Sequence, residues 1–280
     1  MEIQRISDVE EISKPKIKVS SPKINISPRD LSNGPIEMVF VEGGTFMMGS
    51  EEGRDNEKPV HKVKLSSFYI GKYPVTQKQW EEIMGNNPSH FKGCPDCPVE
   101  TVSWHDVQTF LNKINQKYPG LNYRLPTEAE WEFAARGGNQ SRNYLYSGSD
   151  NPNEIGWFLD HSPKPQSWLK KMVYGDNKNG ITRPRPVGNK NPNELGIYDM
   201  SGNVWEWCED WYGGDYYQNC LKQGVVVNPK GPNSGTFRVI RGGSWGNSSE
   251  YCHLTYRMSI LKPDERDNGV GFRVAVSPSQ

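Results

Sequence analysis

The sequence predicts an irregular, aromatic-rich globule of short strands and a few capped helices, and three observations carry that prediction. With 28 Gly and 21 Pro, the chain should turn often and hold rather little regular structure. Its 9 Trp, 13 Tyr and 9 Phe each bury a large area, so a core can form although hydrophobic residues make up only 34%. Strand-like apolar runs flank three separate helix-capping signatures. This pattern disfavours a helical bundle or a parallel-sheet enzyme. A chain of 280 residues can be one large domain or two small ones.

Residues 1–34 mix Lys, Ser, Pro and Asp with isolated Ile and Val, and read as a flexible tail or linker. Order is expected from about Ile36, where IEMVFVEGGTFMMGS supplies a strand, a Gly-Gly turn and a second apolar run. Glu51–Pro59 reads as a polar loop and Val60–Ile70 as a half-buried strand.

Thr76, Ser103 and Thr127 each precede a helical pattern. Gln79 and Glu130 stand at the capping-box positions, and Gly85 and Gly137 provide stops. In the second helix Val107, Phe110, Leu111 and Ile114 share one face. Glu128, Glu130 and Glu132 lie two apart and cannot all face one substrate. Glu130 is the cap, and the other two are expected to be solvated or salt-bridged. Asn139–Lys190 shows turn signals and scattered aromatics without a period, and no repeat of a solenoid or propeller occurs.

Composition also limits function. The 33 basic and 33 acidic residues cancel, so no global field draws the chain to nucleic acid or to a membrane. No run approaches a membrane span, and the N-terminus lacks an apolar signal core, which predicts a cytoplasmic or otherwise unsecreted protein. The five histidines, His61, His90, His105, His161 and His253, show no metal spacing. No nucleophile elbow or phosphate-cradling loop is present. Cys94 and Cys97 form C-P-D-C, which reads first as a structural loop, second as half a zinc site with Cys208 and Cys220, and third as a redox pair. An odd cysteine count, completed by Cys252, leaves at least one thiol unpaired within the monomer.

The segment Arg238–Ala275 organises the rest. Strand-like ends, Arg238–Ile240 and Gly271–Val276, bracket a long stretch rich in Gly, Ser, Asn and Asp. Long irregular loops inside compact domains are usually functional.

Six blocks, GGTFMMGS, KYPVTQKQW, PVETVSWHDV, YRLPTEAEWEFAARGG, PNELGIYDMSGNVWEW and RGGSW…GFR, follow one another between Gly43 and Arg273. In this order and spacing the chain resembles the formylglycine-generating enzyme, or sulfatase-modifying factor, domain family, from about Ile36 to Val276. The resemblance implies a single α+β domain over residues 35–280, related to C-type lectins and low in regular structure. It implies calcium, a hard cation suited to carboxylate and backbone oxygens, at the side chains of Asp199 and Glu206 with the carbonyls of Gly202 and Val204. A further calcium site would fall near Asn153–Trp157 and Gly175–Ile181, where the match assigns no residues. The alternative for the first set is that Asp199 and Glu206 cap turns while Trp205 and Trp207 fill the core.

Enzymatic members oxidise a peptide cysteine to formylglycine with oxygen and copper(I) on two thiolates. Cys252 matches one thiolate position, Tyr251 precedes it, and Ser244 matches a polar site residue, so these three would be catalytic if the chain is an enzyme. The other thiolate position is Asn247. An amide does not replace a thiolate on soft Cu(I), so copper is not expected. The multi-histidine iron site of a carbon–sulfur bond-forming branch is not matched.

The expectation is therefore a non-catalytic module that binds a protein or peptide through the loop 244–270, using Trp245, Asn247, Tyr251, His253, Tyr256, Met258 and Leu261. Variable proteins of diversity-generating retroelements resemble this domain. Gly246, Asn247, Ser248, Tyr251, His253, Leu254, Thr255 and Tyr256 are all residues that adenine mutagenesis of Asn codons can yield. The alternative is a copper-dependent formylglycine-forming oxidase. A subunit of a larger assembly, tethered by residues 1–34, is a further possibility.

Overall fold

A computed structural model describes residues 34–159 and 183–278, so the expected tail and the region Gly175–Ile181 lie outside the described residues. β1 (Met38–Val41) and β4 (Phe68–Gly71) pair with the two-residue strands β11 (Ala275–Val276) and β5 (Tyr123–Arg124) in the order β1-β4-β11-β5. A second sheet has the order β10-β6-β8-β9, built from β6 (Trp205–Trp211), β8 (Arg238–Arg241), β9 (Arg257–Met258) and β10 (Val270–Gly271). The third sheet joins β2 (Thr45–Met48), β3 (His61–Lys64) and β7 (Val225–Val227). The first and last described strands thus share the first sheet, where β11 inserts antiparallel between β4 and β5.

The three capped helices form where their caps stand. They are α1 (Gln77–Met84), α2 (Trp104–Lys117) and α3 (Glu128–Ala135). Each has a reciprocal capping box: Thr76 with Gln79, Ser103 with Asp106, and Thr127 with Glu130. Two orphan N–H groups per helix are satisfied this way. Gly85 takes the left-handed conformation that ends α1. The predicted stripe of α2 packs against Trp80, Trp207 and Phe272 in the larger core, and Trp131 and Phe133 of α3 join Phe68 and Ile70 in a second core.

Two expected strands are each divided. Val60–Ile70 becomes β3 and β4 in different sheets, because Leu65 bonds Gly44 and Ser67 accepts from the Gly43 N–H, turning the chain between them. Gly271–Val276 becomes β10 and β11, again in different sheets. Between them the backbone of Phe272 and Val274 pairs with Val75 and Gly71. The short helices α4 (Pro152–Ile155) and α5 (Tyr216–Gln223) escaped prediction. Asp215 at the start of α5 makes no side-chain cap, so α5 lacks the signature that marks the other three.

Cys94 and Cys97 are joined in a disulfide. This overturns the zinc reading, since two of its four thiolates are spent and Cys208 and Cys220 are buried free thiols. The loop reading holds in a specific form. The carbonyls of Cys97 and Pro95 accept from the N–H groups of Gln77 and Lys78, completing the cap of α1.

Candidate functional site

The C-terminal segment is held from beneath by ion pairs that α3 supplies. Glu128 receives a two-pronged bond from Arg257, at 2.7 and 2.6 Å, and both residues are buried. Glu132 pairs with Arg241 and Arg136 and accepts the N–H of Gly49. Four residues apart on a helix, these carboxylates share a face. They are salt-bridged, and neither is solvated. Burial alone would raise the pKa of Glu132, but Arg136 and Arg241 beside it hold it below the usual carboxylate value. Arg241 also donates to the carbonyls of Leu254 and Thr255, at 3.0 and 2.8 Å. A fixed guanidinium thereby sets the path of the loop's backbone.

Leaving β8, the chain turns through Gly242 and Gly243, both at positive φ. A Cβ on Gly243 would lie 2.6 Å from the Cys252 sulfur, so only glycine lets the two limbs of the segment close. Just beyond, Asn247 is the centre of a polar knot. Its Oδ1 accepts from the Ser244 hydroxyl at 2.7 Å and from the Trp205 indole N–H at 2.8 Å. Indole nitrogen only donates, which fixes the amide's orientation. The Asn247 NH₂ therefore faces away from both and donates to no described residue. Asn247 is half-buried, flanked by half-buried Trp245 and by Gly246, which is exposed.

Aromatic side chains border this knot. Trp245 meets Phe91 edge-to-face at 5.3 Å and donates its indole N–H to the carbonyl of Asn268. Tyr251 and Tyr256 lie 5.0 Å apart, and the Arg54 guanidinium sits over both rings, at 5.0 and 4.9 Å, within 3.6 Å of Glu250. Arg54 comes from the expected polar loop Glu51–Pro59, which is less solvated than its composition suggests. Glu57 is buried there and accepts from the Thr255 hydroxyl, while Asn56 and Arg257 exchange bonds with each other's backbone. Nothing in the spacing of that loop signals Arg54 or Glu57, and Phe91 carries no motif of its own.

Several expected anchors lie in or against the core. Tyr256 is buried against Trp205 in the larger core, and Met258 and Leu261 pack on that core from its edge. Tyr256 is therefore a core residue and not a ligand contact, while Met258 and Leu261, like Tyr251, are half-buried against that core. His253 is half-buried against Tyr146, at 5.0 Å. Trp245, Asn247 and Tyr251 are half-buried, and Trp205 links the polar knot to the tyrosine pair by bonding Asn247 and packing on Tyr256; the structure adds Phe91 beside Trp245 and Arg54 over Tyr251.

A family model for the sulfatase-modifying factor enzyme 1-like domain matches residues 25–278. The chain belongs to this family. It is 38% identical over 255 residues to a chaperone protein, LppX, of Paenibacillus barcinonensis, spanning 79% of this chain and 82% of that one. It is 30% identical to the formylglycine-generating enzyme of Thermomonospora curvata, over 90% of this chain and 96% of the relative. The fold is the C-type-lectin-like one of this family. It superposes on the structure of Treponema denticola variable protein 1 with a TM-score of 0.70 and 29% identity, covering 86% of this chain and 95% of that one.

The family's two metals can be tested against these residues. Copper(I) does not fit. The Asn247 oxygen is taken by Ser244 and Trp205, and Cys252 is a buried thiol packed with Tyr146, Ile155 and Phe158. Burial pushes that thiol well up, away from the thiolate a soft metal needs. Cys208 belongs to a different core cluster and does not supply the missing ligand.

Calcium at Asp199, Gly202, Val204 and Glu206 does not fit either. Glu206 accepts from Arg273 through both oxygens, at 2.6 and 2.7 Å, and from the Trp131 indole at 2.7 Å. Its charge is already compensated and its lone pairs largely used. Asp199 accepts from the Gly188 N–H and the Asn203 amide, and burial pushes its pKa up to about 6. The Asp199–Glu206 block is a turn leading into β6. Asp199 and Asn203 adopt left-handed φ in that turn, and Trp205 and Trp207 fill the core. Among the described residues no group of three or more His, Cys, Asp or Glu is arranged to hold a metal.

Proposed function

We propose that this domain is a protein-binding member of the family, and that it takes an extended segment of its partner on the face formed by Trp245, Asn247, Tyr251 and Arg54. One observation carries the reading. At the position where the family's oxidases place a metal-binding thiolate, Asn247 presents two N–H donors, turned away from Ser244 and Trp205 by the bonds its oxygen accepts. A half-buried donor pair flanked by aromatic rings matches a peptide carbonyl with apolar neighbours. Aromatic rings and small polar residues are the composition of recognition surfaces. Two relatives support this reading by what they are called, a chaperone and a variable protein. In a retroelement version of this reading, variation would be confined to Gly246, Asn247, Ser248, Tyr251, His253 and Thr255, because Leu254 and Tyr256 are buried.

The test is a photocrosslinking residue placed at exposed Gly246 or Glu250 in cells making the full chain, followed by titration of the captured partner. Asn247→Asp keeps both accepted bonds and removes both donors. It should weaken binding by about tenfold, as expected for one lost hydrogen bond of about 1.4 kcal/mol. Unchanged affinity in Asn247→Asp, Trp245→Ala and Tyr251→Ala would overturn the assignment. The oxidase alternative is favoured by Cys252 at the matching position. Incubation with copper(I), oxygen and a Cys-x-Pro-x-Arg peptide should leave the peptide thiol intact, whereas turnover abolished by Cys252→Ser would replace the binding reading with an enzymatic one.

A further inference from the structure

The Cys94–Cys97 disulfide is not at the family's thiolate positions, and it lies three residues beyond Phe91 on the same loop. Its two ends differ. Cys94 is half-buried between Gly93 and Pro95, which are both exposed, whereas Cys97 is buried at 4% exposure. An external thiol can therefore approach the sulfur of Cys94 but not that of Cys97. The buried sulfur lies 3.7 Å from the carbonyl oxygen of Pro184. That oxygen offers nothing to a disulfide, which has no hydrogen to donate, but it would accept a bond from a Cys97 thiol. The reduced pair thus gains an interaction that the oxidised pair lacks. In addition, the loop is laid across the N-terminus of α1, whose first two N–H groups donate to Cys97 and Pro95. The positive end of a helix favours thiolate character nearby.

We propose that Cys94–Cys97 is an exchangeable disulfide that passes its oxidising equivalents to a dithiol polypeptide. A thiolate of that polypeptide attacks the sulfur of Cys94. The S–S bond breaks, and Cys97 leaves with the electron pair and takes up a proton beside the Pro184 carbonyl. The polypeptide's second thiolate then attacks its own sulfur in the mixed disulfide, releasing Cys94, which is protonated from solvent. The polypeptide loses two electrons and two protons and becomes a disulfide, and the Cys94–Cys97 pair gains them and becomes a dithiol. The entry sulfur belongs to the N-terminal cysteine of the pair and the departing one to the C-terminal cysteine. Reduction also frees the carbonyls of Pro95, Asp96 and Cys97 that hold Gln77, Lys78 and Val187, so the same event loosens the start of α1.

The experiment uses the oxidised full chain under native conditions with a reduced two-cysteine peptide, acid quenching and mass spectrometry. The expected result is one equivalent of peptide disulfide formed per chain, with none in Cys94→Ser. Cys97→Ser exposed to oxidised glutathione should carry glutathione on Cys94, which shows the entry sulfur even if Cys94→Ser folds poorly. Amide hydrogen exchange at Gln77, Lys78 and Val187 should rise on reduction. A disulfide that yields to dithiothreitol only after the chain is unfolded would overturn the proposal, as would equal peptide oxidation by Cys94→Ser. Separate readouts distinguish this from the binding reading: titration of the captured partner reports the face, and exchange with the small dithiol peptide reports Cys94, so either can fail without the other.

Discussion

Asn247 accepts two hydrogen bonds on its amide oxygen, one from a hydroxyl and one from an indole. Asn247→Ala would leave the buried Trp205 N–H without an acceptor, at a cost of about 1–3 kcal/mol. Asn247→Asp keeps the acceptor and should lose clearly less stability, and urea unfolding of the two variants checks this ordering. Glu132 makes a second residue-scale prediction. Its folded-state pKa is held below its unfolded value by Arg136 and Arg241, against the effect of burial. The stability it contributes is therefore full above the ordinary carboxylate pKa of about 4.3 and is lost as pH falls through that range. Urea midpoints measured from neutral pH downward should fall more steeply below about pH 4.5 in the wild type than in Glu132→Gln. Asp210, whose pKa burial pushes well up, works in the opposite direction in both proteins, so the comparison isolates Glu132.

At the scale of elements, caps and ion pairs differ in what they protect. Thr76 supplies one half of a capping box, and Thr76→Ala should cost about 1 kcal/mol with the fold retained. Arg257→Ala takes the two-pronged partner from buried Glu128, which should cost about 3–5 kcal/mol and release both β9 and the loop around Asn56. Thermal melting of the two variants should show the second shifted much further. The caps were legible in the sequence because they act over three residues and follow a fixed chemistry. The pairing of α3 with Arg241 and Arg257 was not, because the partners lie more than a hundred residues apart. Spacing along α3 correctly showed that three acids could not converge, yet it gave no sign that Glu128 and Glu132 face a buried arginine pair. The divided strands have the same origin, since their ends are set by backbone bonds to distant segments, whereas α5 goes unmarked because Asp215 makes no side-chain cap.

For the whole molecule, Arg273 holds Glu206, and Ser244 and Trp205 hold the Asn247 oxygen, at positions that match the family's metal ligands. Added calcium, or its removal with EGTA, should leave the melting temperature unchanged. A rise with calcium that is abolished in Asp199→Asn would show that Arg273 gives way to the cation. No helix among the described residues is long and apolar enough to cross a membrane.

The sequence by itself determined the family, the irregular α+β architecture, the three capped helices and the asparagine where a thiolate would stand. These rest on local chemistry: which residues cap a helix, which need glycine, and which atoms a soft metal accepts. Only the tertiary structure decided that Tyr256 is a core residue with Met258 and Leu261 packed against that core, that Arg54 reaches the site from a distant loop, that Glu206 is held by Arg273, and that Cys94 and Cys97 are bonded. Each of those depends on which distant side chain occupies the neighbouring space, and that is set by packing, to which sequence spacing is blind.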